Sequence, residues 1–143
     1  MNSQGIYKTS DGRMILADFE DSVMGQWLFP HQKTTVKTRF GQAFVVTAGS
    51  PDKPALGLLH GSASNVLGWG GAIPQYMGDF HVIAPDIPGD PGKSDPMRLD
   101  WGNGDTILWL DDVLDGLGVS QASFLGLSLG GWIAAKYASA FYG

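Results

Sequence analysis

The 143-residue sequence predicts an α/β fold, a mostly parallel sheet with helices on both faces and a β-hairpin on its N-terminal side. Three observations lead there. The stretches "ALGLLHG", "HVIAPDIPG" and "ASFLGL" are continuous apolar runs, the pattern of strands covered on both faces. Each run ends in a loop rich in Gly or Pro, and the segments that follow carry apolar residues near helical spacing. A repeated strand-then-helix order implies right-handed crossovers and parallel pairing.

Taken in order, residues 11–27, "DGRMILADFEDSVMGQW", place Met14, Ile15, Phe19, Val23 and Met24 near helical spacing behind Asp11 as a candidate cap, which predicts an amphipathic helix. "FPHQ" ends it. In "TTVKTRFGQAFVVTAG", Val36, Thr38 and Phe40 alternate with more polar neighbours and a Val-rich run follows, so two strands joined by a tight turn at Gly41 and Gln42 are expected. "PDKP" at 51–54 is turn chemistry before the first apolar run. "NVLGWGGAIPQYMGDF" reads as a helical segment weakened by glycine. "DTILWLDDVLDGLGV" gathers Ile107, Leu108, Leu110, Val113, Leu114 and Leu117 on one broad face, with Asp105 as a cap and Gly116 and Gly118 ending the helix. The third apolar run and the helix "GGWIAAKYASAFYG" close the series.

Composition narrows the function. Hydrophobic residues make up 43% and charged residues 16%, a globular balance. A chain of this length buries roughly 70% of its unfolded surface, enough for one domain. The net charge of -5, with nine scattered Lys and Arg, argues against nucleic acid as a partner and suits a neutral or small-molecule substrate. With no cysteine, disulfides, thiolate nucleophiles and cysteine metal sites are all excluded. His31, His60 and His81 are too dispersed to suggest a metal site, and no cofactor is implied. The opening "MNSQGIYKTSDGRM" lacks a basic stretch followed by an apolar one, and no run approaches membrane-spanning length, so a soluble, cytoplasmic protein without a membrane partner is expected.

The chemistry-bearing motif is Gly126-Leu127-Ser128-Leu129-Gly130, a G-x-S-x-G pattern between an apolar run and a helix. A serine lifted on a sharp strand-to-helix turn needs glycines beside it, because the turn leaves no room for neighbouring β-carbons. Gly131 adds another small residue at the crossing. The plainer reading is that Ser128 caps the helix. A serine hydroxyl is a weak nucleophile without a base, and an acyl-transfer site also needs donors for the developing oxyanion. "LLHGSASN" ends an apolar run with His60-Gly61, and the small residues Gly61, Ser62 and Ala63 would let a substrate oxygen approach main-chain N–H groups.

The ordered series "ALGLLHGSASN", "FHVIAPDIPGDPGKSD" and "ASFLGLSLGGWIAAKYA" resembles the first half of an α/β-hydrolase-fold enzyme, over roughly residues 33–143. That resemblance implies Ser128 as nucleophile and the backbone N–H groups of Ser62 and Leu129 as the oxyanion hole, with Gly126, Gly130, His60 and Gly61 supporting the elbow and loop. It implies that Asp86, Gly89, Gly92 and Ser94 form a structural loop, although "DIPGDPGKS" is one residue longer than the commonest family spacing. His60 would support its loop, while the base comes from a late loop near the C-terminus of the family's enzymes. His31 and His81 read as structural, Asp111 and Asp112 as a solvated helix face, and Trp69, Trp101 and Trp132 as core or as acyl-pocket lining.

These readings divide the chain into an N-terminal helical arm, 1–32, and the N-terminal portion of a hydrolase core, 33–143. The expected activity is hydrolysis of an ester or related small acyl compound through an acyl-enzyme. In family order the acid and the histidine would follow Ser128, beyond Gly143, so the fold is expected to be incomplete, a fragment with little activity by itself. The strand before Ser128 would be left as an edge, to be covered by a complementary C-terminal polypeptide or a homodimer. The rival is a non-catalytic module that binds a small ligand or a partner chain. Strained backbone at Ser128 favours the enzyme, relaxed N-cap geometry the module.

Overall fold

A computed structural model describes residues 6–142. Its centre is a five-stranded sheet in the order β1-β2-β4-β3-β5, built from Gln32–Thr38 (β1), Gly41–Ala48 (β2), Ala55–Leu59 (β3), His81–Pro85 (β4) and Ala122–Gly126 (β5). The last three strands run parallel, with β3 between β4 and β5, while the β1-β2 hairpin joins antiparallel to β4. The C-terminal ends of β3, β4 and β5 therefore share one rim, and the loops carrying residues 60–65, 86–104 and 127–128 leave from it.

Alternating side chains divide the core between the two sheet faces. Ala43, Val45, Leu59 and Ile83 pack on one face against Trp109, Leu110, Val113 and Leu114 of α3 (Asp105–Gly116) and Ile133 and Tyr137 of α4 (Leu129–Tyr142). Phe44, Val46, Leu58, Val82 and Ala84 line the other, covered by Met24 of α1 (Ser10–Gly25), Val66 of a 3-10 turn (Val66–Trp69) and Ile73 of α2 (Ile73–Tyr76). The glycine-weakened segment thus forms two short turns rather than one helix. Helices cover both faces, as the apolar runs predict.

Four local expectations change. The cap of α1 is Thr9, whose side chain accepts the Gly12 N–H at 2.9 Å, and Asp11 falls inside the first turn. The hairpin reverses at Arg39-Phe40 rather than Gly41-Gln42, because Gly41 already pairs with Thr38, and the Gln42 N–H and C=O are both taken by Asp95. Asp105 does not cap α3: Gly104 holds that position at φ +87°, and the Asp105 carboxylate accepts the Asp100 N–H at 2.9 Å. Leu108 falls outside the buried face of α3.

The largest change is the direction α1 faces. Met14, Ile15 and Phe19 are 63%, 66% and 59% exposed, and the buried side holds Glu20 with Met24. Helical spacing gives α1 a second stripe, Arg13, Glu20 and Met24, and polar partners on the loop after β4 select it. Arg13 pairs with Asp95 at 3.7 Å, Asp21 pairs with Lys93, and the Tyr7 hydroxyl donates to Gly92 O at 3.0 Å. Glu20 is 2% exposed and its Oε2 has no hydrogen-bond partner among the described residues.

Burial, reinforced by the nearby Asp86 charge, pushes the Glu20 carboxyl up to about 8. The folded chain therefore keeps a proton on Glu20 across a range in which the unfolded chain releases it. Unfolding then releases a proton, so stability is full below the unfolded value of 4.5 and falls as pH rises toward about 8. Urea unfolding midpoints should decline across that window and flatten above it. Glu20→Gln, which mimics the protonated form, should lose much of the decline, and an unchanged slope would refute the assignment.

Candidate functional site

Ser128 is the single residue between the end of β5 and the start of α4 that adopts a left-handed conformation, at φ +53°, and one of two non-glycine residues with positive φ among the described residues. Such a conformation costs an L-residue about 1–2 kcal/mol. Close packing imposes it. Leu127 N–H donates to Leu59 O at 3.0 Å, so the turn is pinned to the end of β3. A β-carbon on Gly130 would overlap the Leu59 carbonyl, and one on Gly126 would overlap the backbone of Gly130 and Gly131. With both flanking glycines required by the crossing, the reversal is concentrated at Ser128.

The turn after β3 meets this elbow. A β-carbon on Gly61 would lie 3.7 Å from the Ser128 β-carbon and 3.4 Å from Leu127 O. His60 is buried beneath it, with both ring nitrogens engaged: Nε2 accepts the Ile87 N–H at 2.9 Å and Nδ1 faces Gly61 O at 2.8 Å. Since Nε2 accepts, the proton lies on Nδ1 and is donated to the Gly61 carbonyl. That peptide is trans, so the Ser62 N–H points away from His60. Neither the Ser62 nor the Leu129 N–H has an intrachain acceptor among the described residues. Ser62 and Ser128 are both exposed.

The loop after β4 takes the structural part expected of Asp86, Gly89, Gly92 and Ser94. Asp86 is fully buried, and its carboxylate accepts the Val66 N–H at 2.8 Å and the Lys93 N–H at 2.7 Å. Burial pushes this carboxyl up, while the two N–H bonds pull it back down. Gly92 leaves space for it, since a β-carbon there would come 2.6 Å from Asp86 Oδ2. Gly89 turns at φ +91°, and the Ser94 hydroxyl bridges Asp86 O and the Phe44 N–H at 2.6 and 2.9 Å.

Of the remaining candidates, Trp132 adjoins the elbow in the first turn of α4, its N–H donating to Ser128 O at 3.1 Å. His31 bonds Phe29 O at 3.0 Å and packs on Trp27, and His81, which burial pushes down, begins β4 at the opposite end of the sheet. Asp111 and Asp112 are not a free solvated face: Asp112 takes a two-point ion pair and the backbone N–H of Arg39, and Asp111 accepts the Tyr137 hydroxyl at 2.9 Å. Arg39 holds the Asp112 carboxyl below its usual range. Trp69 packs against the α1-side core, whereas Trp101 and Trp132 are partly exposed with ring centroids 5.5 Å apart. Among the described residues no group of three or more His, Asp or Glu could hold a metal ion, and no helix is long and apolar enough to cross a membrane.

The rival reading fares poorly in this geometry. An N-cap residue is normally extended and bonds an amide of the first turn. Ser128 is left-handed, and its hydroxyl makes no such bond among the described residues.

Comparison with known proteins gives the family. Residues 58–142 match the model of the alpha/beta hydrolase family. The chain is 33% identical over 130 residues to the uncharacterized carboxylesterase nap of Bacillus subtilis (strain 168), covering 91% of this chain and 43% of that protein. It is 36% identical to carboxylesterase YbfK of the same organism over 78% of this chain and 38% of that one. The crystal structure of a B. subtilis naproxen esterase superposes with a TM-score of 0.84 at 32% identity, over 91% of this chain and 45% of that one. The chain thus spans less than half the length of these relatives.

Strain at the elbow gives two expected outcomes. Ser128→Gly should be more stable than Ser128→Ala by about 1 kcal/mol in urea unfolding, the reverse of the usual order, because glycine relieves the left-handed backbone. Gly130→Ala should lose about 3 kcal/mol through the clash with Leu59. A normal Ala-over-Gly order at 128 would contradict the strain.

Proposed function

Because the chain belongs to the alpha/beta hydrolase family, we propose that it is the nucleophile-bearing part of a carboxylic-ester hydrolase acting on a small acyl substrate. The Ser128 oxygen bonds to the acyl carbon, the alcohol leaves with a proton, and water later releases the acid from the acyl-serine. Ser62 and Leu129 N–H groups hold the oxyanion, a contribution of about 3 kcal/mol per donor in comparable sites. The observation that carries this reading is the left-handed Ser128 raised beside the Gly61 turn, with both of those N–H groups free of intrachain acceptors among the described residues. The carboxylesterase relatives supply the substrate class.

None of the three histidines is placed to move the Ser128 proton. His60 has both nitrogens occupied, and His31 and His81 lie elsewhere. On this reading the base and its orienting acid are contributed from outside residues 1–143, and further strands pair with the outer edge of β5, where Leu125 and Leu127 are exposed.

A fluorophosphonate probe tests the assignment. Adduct mass mapping should place the label on Ser128, and Ser128→Ala should abolish it. Turnover of a p-nitrophenyl ester by the 143-residue chain should fall at least about 10³-fold below a full-length carboxylesterase relative. Labelling spread over other serines, or absent, overturns Ser128 as nucleophile. Turnover equal to that relative overturns the missing base.

A further inference from the structure

We propose that Asp90 is a positioning residue for the oxyanion turn, an inference that rests on the Ser62 and Leu129 assignment above. Asp90 and Pro91 lie within "DIPGDPGKS", the loop that is one residue longer than the commonest family spacing, and the structure gives both a use. Asp90 Oδ1 accepts the Ala63 N–H at 3.0 Å. Next to it, the Pro91 carbonyl accepts Asn65 Nδ2 at 2.9 Å. The lengthened loop thus holds the turn after β3 at two points.

The peptide geometry makes the first of these points decisive. Ser62 lies between two peptide groups. The one before it is fixed by His60, which donates to Gly61 O, and the one after it is fixed by Asp90, which accepts from Ala63 N. With both neighbouring planes held, the direction of the Ser62 N–H has little freedom left. Ala63 itself is at φ +57°, the second non-glycine left-handed residue among those described, a conformation that needs an external hold. Both clamps depend on the loop after β4, because His60, at the end of β3, is itself held by the Ile87 N–H.

The other Asp90 oxygen adds a link between the clamps. Oδ2 is buried without a hydrogen-bond partner among the described residues and lies 3.9 Å from His60 Nδ1. At that distance it favours the proton on Nδ1 electrostatically, the tautomer that donates to Gly61. Asp90 thus acts through Ala63 and His60 rather than on the reacting atoms.

Amide hydrogen exchange on the ¹⁵N-labelled chain, together with the fluorophosphonate rate at Ser128, tests this. Asp90→Ala should raise Ala63 amide exchange about 10-fold or more and slow labelling about 10- to 100-fold, while the unfolding midpoint changes little. Asp90→Asn keeps an acceptor and should restore both within about threefold. Asp90→Glu moves the acceptor by one methylene and should give intermediate values, so the outcome does not hang on the alanine variant folding. Unchanged Ala63 exchange in Asp90→Ala or Asp90→Glu overturns the clamp, and raised exchange with an unchanged labelling rate overturns its positioning role. Labelling that survives Ser128→Ala would instead sink the nucleophile assignment, while Ala63 exchange still reports on Asp90.

Discussion

The close crossing of α4 over the end of β3 is the constraint from which the rest of the rim follows. Leu127 N–H is tied to Leu59 O, and Gly130 rests against the same carbonyl with no space for a side chain. The chain must turn sharply from strand to helix, so Ser128 takes a left-handed conformation that costs about 1–2 kcal/mol. Burial of Ile133 and Tyr137 against the sheet offsets that cost, since each large apolar side chain contributes about 2 kcal/mol. The serine is strained because the packing that stabilises the helix leaves no other route.

The loop after β4 then joins parts that are distant in sequence. A buried carboxylate is costly unless its oxygens are bonded, and Asp86 meets that need with the Val66 and Lys93 N–H groups. The same loop supplies Ile87 to His60 and Asp95 to the hairpin, and α1 docks on it from outside. Two carboxyls, Glu20 and Asp86, are brought into one poorly solvated region there. The cheaper arrangement is one charge rather than two, and Asp86 has the N–H donors that Glu20 lacks, so the proton goes to Glu20. Docking of the N-terminal helix is thereby tied to pH through the loop that also steadies His60.

How much of this was legible in the sequence depends on the range of the interaction. The three parallel strands, the final helices and the elbow could be read because continuous apolar runs and closely spaced glycines are local signals. The turn at 61–63 could be placed beside Ser128 because parallel neighbours end on one rim. What escaped were choices made by distant partners. Periodicity gave α1 an apolar stripe, but the loop bearing Lys93, Asp95 and Gly92 engages the other stripe. Asp112 looked solvated until the hairpin brought Arg39 to it, and the same hairpin turned two residues early because Asp95 claimed Gln42. Nothing in the sequence singled out Asp90, because the extra residue in "DIPGDPGKS" marks the loop but no partner within it.

Different parts of an acyl-transfer site place different demands on a chain. Main-chain donors must be held by the packing of their own peptide planes, so they belong to the same compact unit as the elbow they serve. Here the planes on either side of Ser62 are fixed by His60 at the end of β3 and by Asp90 of the loop after β4, and Leu129 by the helix crossing. A histidine base makes no such demand, because its side chain can arrive from any segment that ends on the same rim. On the proposed reading, these residues therefore carry the electrostatic half of the chemistry in a preorganised form and leave proton transfer to a separate segment. Since such donors act without moving as charge develops, their worth depends on how little the turn can relax. A lengthened loop that grips residues 63 and 65 answers that need directly.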